Sequence, residues 1–430
     1  MIRRPGYAIL ALLTYGIVES LLLGYKYYII LVILLFFTVA FEVIYFNISG
    51  SKTISGISVR RISDTTNFRK NRKFKITLNF KNTNKYPVTI HFFDEGIDIL
   101  EISGNTGGNI TIPANGYYNL EYWIVPRYIG RYDFGNIKIR ISDIFHISSI
   151  EKTFLSKMEI KISPSMSDIK SSRSEMISSF LYTFGNHYSH KIGQGYNLYG
   201  IRPYTYDDDP RFIVWSRYDG STSNLLVKQM EEEREITAIF IIDYSVSMNY
   251  GSTDRIYDKT VLDIINSSYF MIKNRDSVGF LLYSDNIHTY IPPDNSGKGI
   301  DRLEKEVSSI IPSGGFSAAN AIKYLQTKQK KKVLLFLVTA SLNSVEALSY
   351  YNNLTVFLIN HESYYDCSPN GDFEDLLIRN SQFKEINRVR RTVNAIRNRG
   401  IRCVYVNKKN MLPKIMFEYN YGRSMNKGAS

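Results

Sequence analysis

Cysteine is almost missing from this chain of 430 residues, which holds only Cys367 and Cys403. Two cysteines so far apart build neither a disulfide framework of the secreted kind nor a structural zinc site. Glycine at 27 and proline at 12 are too sparse for a fibrous repeat. A phosphate-binding loop is missing as well. Gly297-Lys298 lacks the upstream glycine and the following Ser or Thr, so ATP hydrolysis is not expected of this chain. Tryptophan occurs twice against 33 tyrosines, a bias that reads as genome composition before function. What is present is ordinary for a folded protein. Hydrophobic residues make up 44% and charged ones 22%, which excludes a mainly disordered chain, and the length asks for two or three domains.

The net charge of +13 is unevenly placed. Residues 1–75 hold 11 basic and 3 acidic residues, which flank apolar runs and form no basic stripe on a folded domain. A nucleic-acid partner is not expected from that distribution. Gly6–Gly24 and Tyr27–Asn47 are each long enough to span a bilayer, with only Tyr25 and Lys26 between them. Residues 1–48 therefore read as an antiparallel transmembrane helix hairpin whose residues 6–47 meet lipid. No small-residue cleavage site of a signal peptide precedes the second run. Arg3 and Arg4 come before the hairpin, and Lys52, Arg60, Arg61, Arg69, Lys70, Arg72 and Lys73 follow it. By the positive-inside rule both ends, and the soluble domains, face the cytoplasm of a two-pass cell-membrane protein. Glu19 and Glu42 fall within about two turns of a helix end, where an interfacial carboxylate costs little.

Residues 49–165 change texture. RKFKITLNF, PVTIHFF, YYNLEYWIV and GNIKIRIS are short β-branched and aromatic runs separated by turn clusters. They read as an all-β, immunoglobulin-like sandwich serving as a spacer near the membrane. Residues 166–235 follow as a segment of their own. There Asp207, Asp208 and Asp209 stand with Arg202 and Arg211 around Pro210, a pattern that closes an ion-paired turn. A carboxylate cluster also has the donors for a metal or a general acid–base site. His187 and His190 are the nearest bases, but no recognisable triad forms. Trp215 reads as a packing anchor. Gly193 and Gly195 do not follow a strand and open a helix, as a dinucleotide fingerprint requires.

Residues 236–430 alternate strand and helix. ITAIFII, SVGFLLYS, KVLLFLVT, LTVFLIN and IRCVYVN are the strand runs, with helices expected over Asp258–Lys273, Ile300–Ile310, Ala318–Gln326 and Phe383–Arg399. The pattern predicts a doubly wound α/β sheet, whose ligands gather at the carboxyl ends of the strands. Asp243-Tyr244-Ser245-Val246-Ser247 sits at such an end. Two serine hydroxyls two residues apart can point at one hard cation while the aspartate orients them, and Mg²⁺ keeps several waters, so few protein ligands suffice. Residues 361–378 read as an insertion over the upper face of this sheet. The basic stretch Arg388–Arg399 reads as a solvated helix face.

Asp243–Ser247 after a strand, with Gly314-Gly315 and Leu337-Val338-Thr339 further on, resembles a von Willebrand factor A domain and its metal-ion-dependent adhesion site. Gly193, Gly195, Arg202, Tyr204, Asp208, Asp209, Arg211, Ile213, Trp215, Lys228 and Glu231–Glu235 resemble, in order, the signature of the domain-of-unknown-function-58 family. Gly130-Arg131-Tyr132 through Ser142-Asp143-Ile144-Phe145 extends that resemblance upstream. The resemblance implies an A-domain with Asp243, Ser245 and Ser247 as ligands of Mg²⁺ or Mn²⁺. The departures are specific. Phe316 stands where the adhesion site takes a threonine, with Ser317 as a substitute one place on, and Ala340 and Ser341 stand where it takes an aspartate. In the longer signature Asn197, Asp207 and Val214 replace a glutamate, a glycine and an aspartate.

The resemblance also implies the function: a non-catalytic, membrane-anchored adaptor that cooperates with a MoxR-type AAA+ ATPase in assembling or remodelling protein complexes. The competing expectations are a hydrolase using Asp207–Asp209, a scaffold without an ATPase partner, and an outward-facing adhesin, which needs the opposite topology.

Overall fold

The apolar and alternating runs of the sequence become helices and strands in the computed structural model, which describes residues 4–23, 26–143, 147–156, 158–165, 192–218, 220, 225–231, 235–251, 254–285, 288–329, 332–340, 353–364 and 372–424. The chain is mixed α/β and divides into two compact units, with the main break after Ser165.

The first unit opens with helices α1 (Arg4–Leu23) and α2 (Lys26–Ser55). Within α2, Ile30–Ser55 is long and apolar enough to cross a membrane. Eleven strands follow: β1 (Ile57–Ser63), β2 (Asn67–Arg69), β3 (Phe74–Asn82), β4 (Val88–Asp94), β5 (Leu100–Ser103), β6 (Gly107–Ile112), β7 (Tyr117–Pro126), β8 (Gly130–Asp133), β9 (Ile137–Ser142), β10 (Ser149–Phe154) and β11 (Glu159–Ser163). Sheets β1-β3-β7-β5 and β10-β9-β4-β6 are antiparallel, and a smaller sheet has the order β2-β11-β8. Period-two alternation sends Ile76, Leu78 and Phe80 of β3, Val88, Ile90 and Phe92 of β4, and Ile137, Ile139 and Ile141 of β9 into one shared core. Phe80 and Phe92 meet there edge to face, 5.3 Å apart.

Two of the cations expected to flank the membrane are buried in this unit instead. Arg61 is buried, with its guanidinium on Asp94 and donating to the carbonyls of Ser156 (2.9 Å) and Gly135 (3.1 Å). The Phe134 ring stacks against it at 4.1 Å, and Lys70 is buried as well. Strand alternation decides this: Arg61 shares the inward parity of Ile57 and Val59, and Asp94 neutralises it.

The second unit begins with the antiparallel pair β12 (Ile192–Pro203) and β13 (Leu226–Glu231). Its main sheet contains β14 (Thr237–Asp243), β15 (Ser277–Tyr283), β16 (His288–Asp294), β17 (Leu334–Thr339), β18 (Leu354–Ile359) and β19 (Arg402–Val406), in the order β16-β15-β14-β17-β18-β19. All pairs are parallel except the β16 edge. The helices are α3 (Ile256–Lys273), α4 (Lys298–Ser309), α5 (Ala318–Lys328), α6 (Asp372–Arg397) and α7 (Met411–Ser424). Ile239, Ile241, Leu335 and Leu337 of the sheet pack on α5 and α6. Residues of opposite parity form a row of rings: Phe240 lies 6.1 Å from Phe280 and 5.2 Å from Phe336, which lies 5.8 Å from Phe357. Helix α6 starts well before the expected Phe383 and takes up the end of the stretch read as an insertion. Pro369 and Gly371 precede Asp372, and no helix breaker follows until Gly400.

Candidate functional site

Strand order turns around at β14: successive connections add β15 and β16 on one side, then β17, β18 and β19 on the other. In such a sheet the loops leaving the central strands diverge to opposite faces and open a crevice beyond their carboxyl ends. Asp243 ends β14 and Thr339 ends β17, so the two stand on either side of the switch point where such a crevice is expected.

Both are fully buried, and the Thr339 hydroxyl donates to Asp243 Oδ2 at 2.7 Å. The Ser245 amide donates to Oδ1 at 2.9 Å, and Ser247 Oγ approaches Oδ2 at 3.4 Å. The hydroxyls of Ser245 and Ser247 are 2.9 Å apart and hydrogen-bonded to each other. Burial pushes the Asp243 carboxyl above its ordinary range, and the surrounding donors pull against it. The three spaced residues of the motif are thus brought together, with Thr339 completing the set. Strand position is the sequence signal for Thr339, since it is the last residue of an apolar run.

Backbone bonds hold the surrounding loops. Tyr244 accepts from the Ser313 amide (2.9 Å), Gly314 from Val246 (3.1 Å) and Gly315 from Asp285 (2.9 Å). The glycine pair is needed here. Gly314 has φ +78°, and a Cβ on Gly315 would lie 2.5 Å from the Asp285 carboxylate. Phe316 is buried in the apolar cluster beneath α5, edge-on to Tyr283 at 6.3 Å. Ser317 caps α5, accepting from the Asn320 amide at 3.5 Å. Ala340 is buried, and His361 Nε2 donates to its carbonyl at 2.6 Å. Asp285 and His361 carry no local motif and become visible only when the sheet brings its carboxyl ends together.

Those residues can be tested against a divalent cation. Mg²⁺ or Mn²⁺ needs about six oxygens and favours carboxylates among them. The single motif carboxylate already accepts three hydrogen bonds, the two serines bond each other, and Phe316 and Ala340 are apolar. Among the described residues no group of three His, Cys, Asp or Glu is placed to hold a metal ion. The donor set does not fit such a cation.

The acidic turn upstream is built differently. Arg202 grips Asp208 with two nitrogens, one at 2.7 Å from Oδ2, and the Thr205 amide and hydroxyl each donate to that oxygen at 2.8 Å. Arg211 forks onto Asp209 at 2.7 Å and 3.0 Å, and Asp209 caps the turn Pro210–Phe212. The arginines hold both carboxyls below the usual carboxylate range, Asp208 far below. A carboxylate so committed is a poor proton acceptor at neutral pH. Asp207 is exposed.

Trp215 does not anchor packing as expected. It is 60% exposed, in the short turn Trp215–Arg217, with Tyr218 edge-on at 6.2 Å. The turn is fixed by its backbone, Val214 donating to Leu226 at 2.8 Å, and this leaves the ring outside. Gly193, Gly195, Arg202 and Lys228 lie on β12 and β13, and Tyr204 follows β12 with its amide bonded to Leu225 at 2.8 Å. Glu232, Glu233, Arg234, Ile144, Phe145, His187, His190, Ser341 and Cys367 lie outside the described residues.

Residues 200–362 match the family described as Protein of unknown function DUF58. The matched stretch contains the Arg–Asp turn, the Asp243 crevice, the glycine pair and His361. No curated protein matches the chain. Among solved structures, an aerotolerance-related membrane protein from Bacteroides fragilis is similar at 15% identity and TM-score 0.29, over 43% of this chain and 99% of its own. A FixG-related protein from Vibrio parahaemolyticus has 12% identity and TM-score 0.18, over 24% of this chain and 94% of its own. A CARDB domain from Pyrococcus furiosus, solved in complex with di-metal ions, has 12% identity and TM-score 0.17, over 25% and 86%.

Proposed function

We propose that this chain is a membrane-anchored interaction protein that docks a protein partner through its second unit and carries out no catalysis itself. The observation that carries the reading is the display of aromatic side chains on two neighbouring turns: Tyr206 in the Arg–Asp turn is 95% exposed, and Trp215 and Tyr218, in and just after the backbone-held turn that follows, are 60% and 42% exposed. Exposed aromatics on turns already held by Arg–Asp clamps around Tyr206 and by backbone bonds around Trp215 bind at little cost in conformational entropy, and Trp and Tyr dominate the energetics of interfaces. The crevice loop adds Val246 and Tyr250, each about half exposed. In this reading the second unit is an A-type domain whose adhesion site has lost its cation and kept its scaffold. Helices α1 and α2 cross the membrane as an antiparallel pair, and both soluble units face the cytoplasm.

The partner that the family resemblance implies is a MoxR-type AAA+ ATPase, which would supply the ATP hydrolysis this chain has no loop for. The test is affinity capture of the detergent-solubilised protein from native membranes, with and without a slowly hydrolysed ATP analogue and Mg²⁺, read by mass spectrometry. Nucleotide-dependent recovery of an AAA+ ATPase, lost in a Tyr206→Ala/Trp215→Ala variant, is the expected result. Recovery of no ATPase in either state sinks that partner. Recovery undiminished in the variant moves the docking surface elsewhere.

A further inference from the structure

We infer that the end of the two-sheet domain from which α2 emerges is a membrane-contact surface, seated on the headgroups of an anionic phospholipid bilayer. The inference rests on α2 crossing the membrane and adds what the domain itself does there.

The geometry begins with the length of α2. The apolar stretch Tyr27–Asn47 covers about 30 Å of helix, the thickness of the hydrocarbon layer. The helix nevertheless continues to Ser55, about 12 Å further. Those last turns are built into the domain. Ile54 belongs to the shared core and Phe46 packs against it. Gly50 lies so close to Ile150 that a Cβ would meet its Cδ1 at 2.8 Å. The Thr53 hydroxyl is bonded to Tyr86 Oη at 2.6 Å, Asn84 Nδ2 donates to the Thr53 carbonyl at 3.0 Å, and Lys152 Nζ approaches the Ile54 carbonyl at 3.5 Å. No flexible linker separates the helix from the sheets. The headgroup layer is roughly 5–8 Å deep on each side, so contacts reaching from Thr53 down to Phe46 hold this end of the domain at its level.

The side chains presented there suit that position. Strand register brings the turns 82–87 and 113–116 together beside Gly56: Ile57 pairs with Asn82, Lys81 with Tyr117 and Val88 with Ile112. Neither turn contains a carboxylate. Lys52, Lys81 and Lys85 are exposed there, as are Tyr86 and Tyr117, and Lys81 Nζ lies over the Tyr117 ring at 5.4 Å. Tyrosine and lysine together are the pairing that settles at a membrane–water interface: the ring lies among headgroups and the ammonium reaches phosphate. Each lysine near an anionic surface is attracted to it, and low salt strengthens the effect.

The test uses the full chain, reconstituted into vesicles of phosphatidylcholine alone or with about 30% phosphatidylglycerol, and in detergent micelles. A water-soluble amine reagent is applied and the modified lysines are read by mass spectrometry. Lys52, Lys81 and Lys85 are expected to be labelled several-fold less in anionic vesicles than in micelles, while Lys161 at the opposite end is labelled equally. Lys81→Glu/Lys85→Glu, a change at exposed positions, should abolish the slowing of amide exchange that anionic vesicles impose on residues 113–116. Alkaline carbonate extraction separates the failures. Release of the protein by carbonate overturns the spanning helix and this inference with it. Retention with labelling unchanged between micelles and vesicles overturns the contact surface alone. Protection in micelles that rises with protein concentration assigns the surface to a second copy and overturns the lipid reading.

Discussion

Asp94→Ala tests the buried ion pair that organises the first unit. In the native domain the Arg61 side chain has no exposure and that of Asp94 has 1%. Tyr122 Oη donates to Asp94 Oδ2 at 2.7 Å, and burial together with the Asp94 charge pushes the Tyr122 phenol far above its usual range. Removing the carboxylate leaves a guanidinium in the core with two carbonyl acceptors and one aromatic face. Breaking a buried pair in this way costs about 3–5 kcal/mol, and the orphaned phenol adds about 1. A small domain has only about 5–15 kcal/mol in total, so the single substitution should consume much of it and lower the melting temperature by about 15–20 °C. Arg61→Met/Asp94→Leu/Tyr122→Phe removes all three polar groups and should recover most of the loss, because burying apolar side chains instead of a charge pair is often neutral. The assay is amide exchange of peptides from β4 and β9 across a temperature series, in the full-length protein in detergent, so that the readout belongs to this unit. A loss below about 1 kcal/mol for Asp94→Ala, or a triple variant as unstable as the single one, would refute the claim that the pair is buried and coupled.

Three further outcomes follow from the second unit. Burial raises the Asp263 carboxyl from 3.8 to about 6, against the pull of Lys259 at 3.0 Å. The folded state therefore holds the proton longer than the unfolded one, and stability falls as pH rises from about 4 through about 6, by up to about 3 kcal/mol. Asp263→Asn should be the more stable protein at pH 7.5 and flat across that window in denaturant titrations, and a variant less stable at pH 7.5 contradicts the sign. Thr339→Val removes the hydroxyl that bonds Asp243 while conserving shape, and should cost about 1–2 kcal/mol in the same titrations. No change there would mean that the contact across the crevice carries no net energy. EDTA or added Mg²⁺ should leave the melting temperature unaltered, whereas a rise that saturates with Mg²⁺ would restore the cation to the Asp243 site.

Much of the architecture was legible from periodicity. Alternation in β3, β4 and β9, and the strand–helix recurrence after Ile236, give the two classes of sheet without any tertiary information. What periodicity misses has a common cause, which is that residue type alone does not fix which side of the surface a side chain takes. Arg61 has the inward parity of Ile57 and Val59, and that parity outweighed its charge once Asp94 arrived from another sheet. Trp215 is the reverse case: its residue type suggests the interior, but a turn held by backbone bonds gives its ring nothing to pack beneath. Strand ends were more accurate than helix starts, since α6 could begin anywhere between Gly371 and the first strongly apolar turn.

The crevice shows where spacing stops being informative. D-x-S-x-S is a statement about where oxygens converge, and Asp243, Ser245 and Ser247 do converge. Whether converged oxygens attract a cation depends on charge left over after internal bonding, which spacing does not report. Here the only motif carboxylate is fully buried and accepts from Ser245, Ser247 and Thr339, so most of its acceptor capacity is taken up by internal bonds. The residues that decide this are distant in sequence: Thr339 supplies a donor, Ala340 withholds a second carboxylate, and Phe316 puts a ring into the core where a hydroxyl would have faced the crevice. A second carboxylate would have repelled Asp243 and made a cation necessary to hold the loops together. Without one, the hydrogen bonds from Thr339, Ser245 and Ser247 brace Asp243 across the switch point of the sheet.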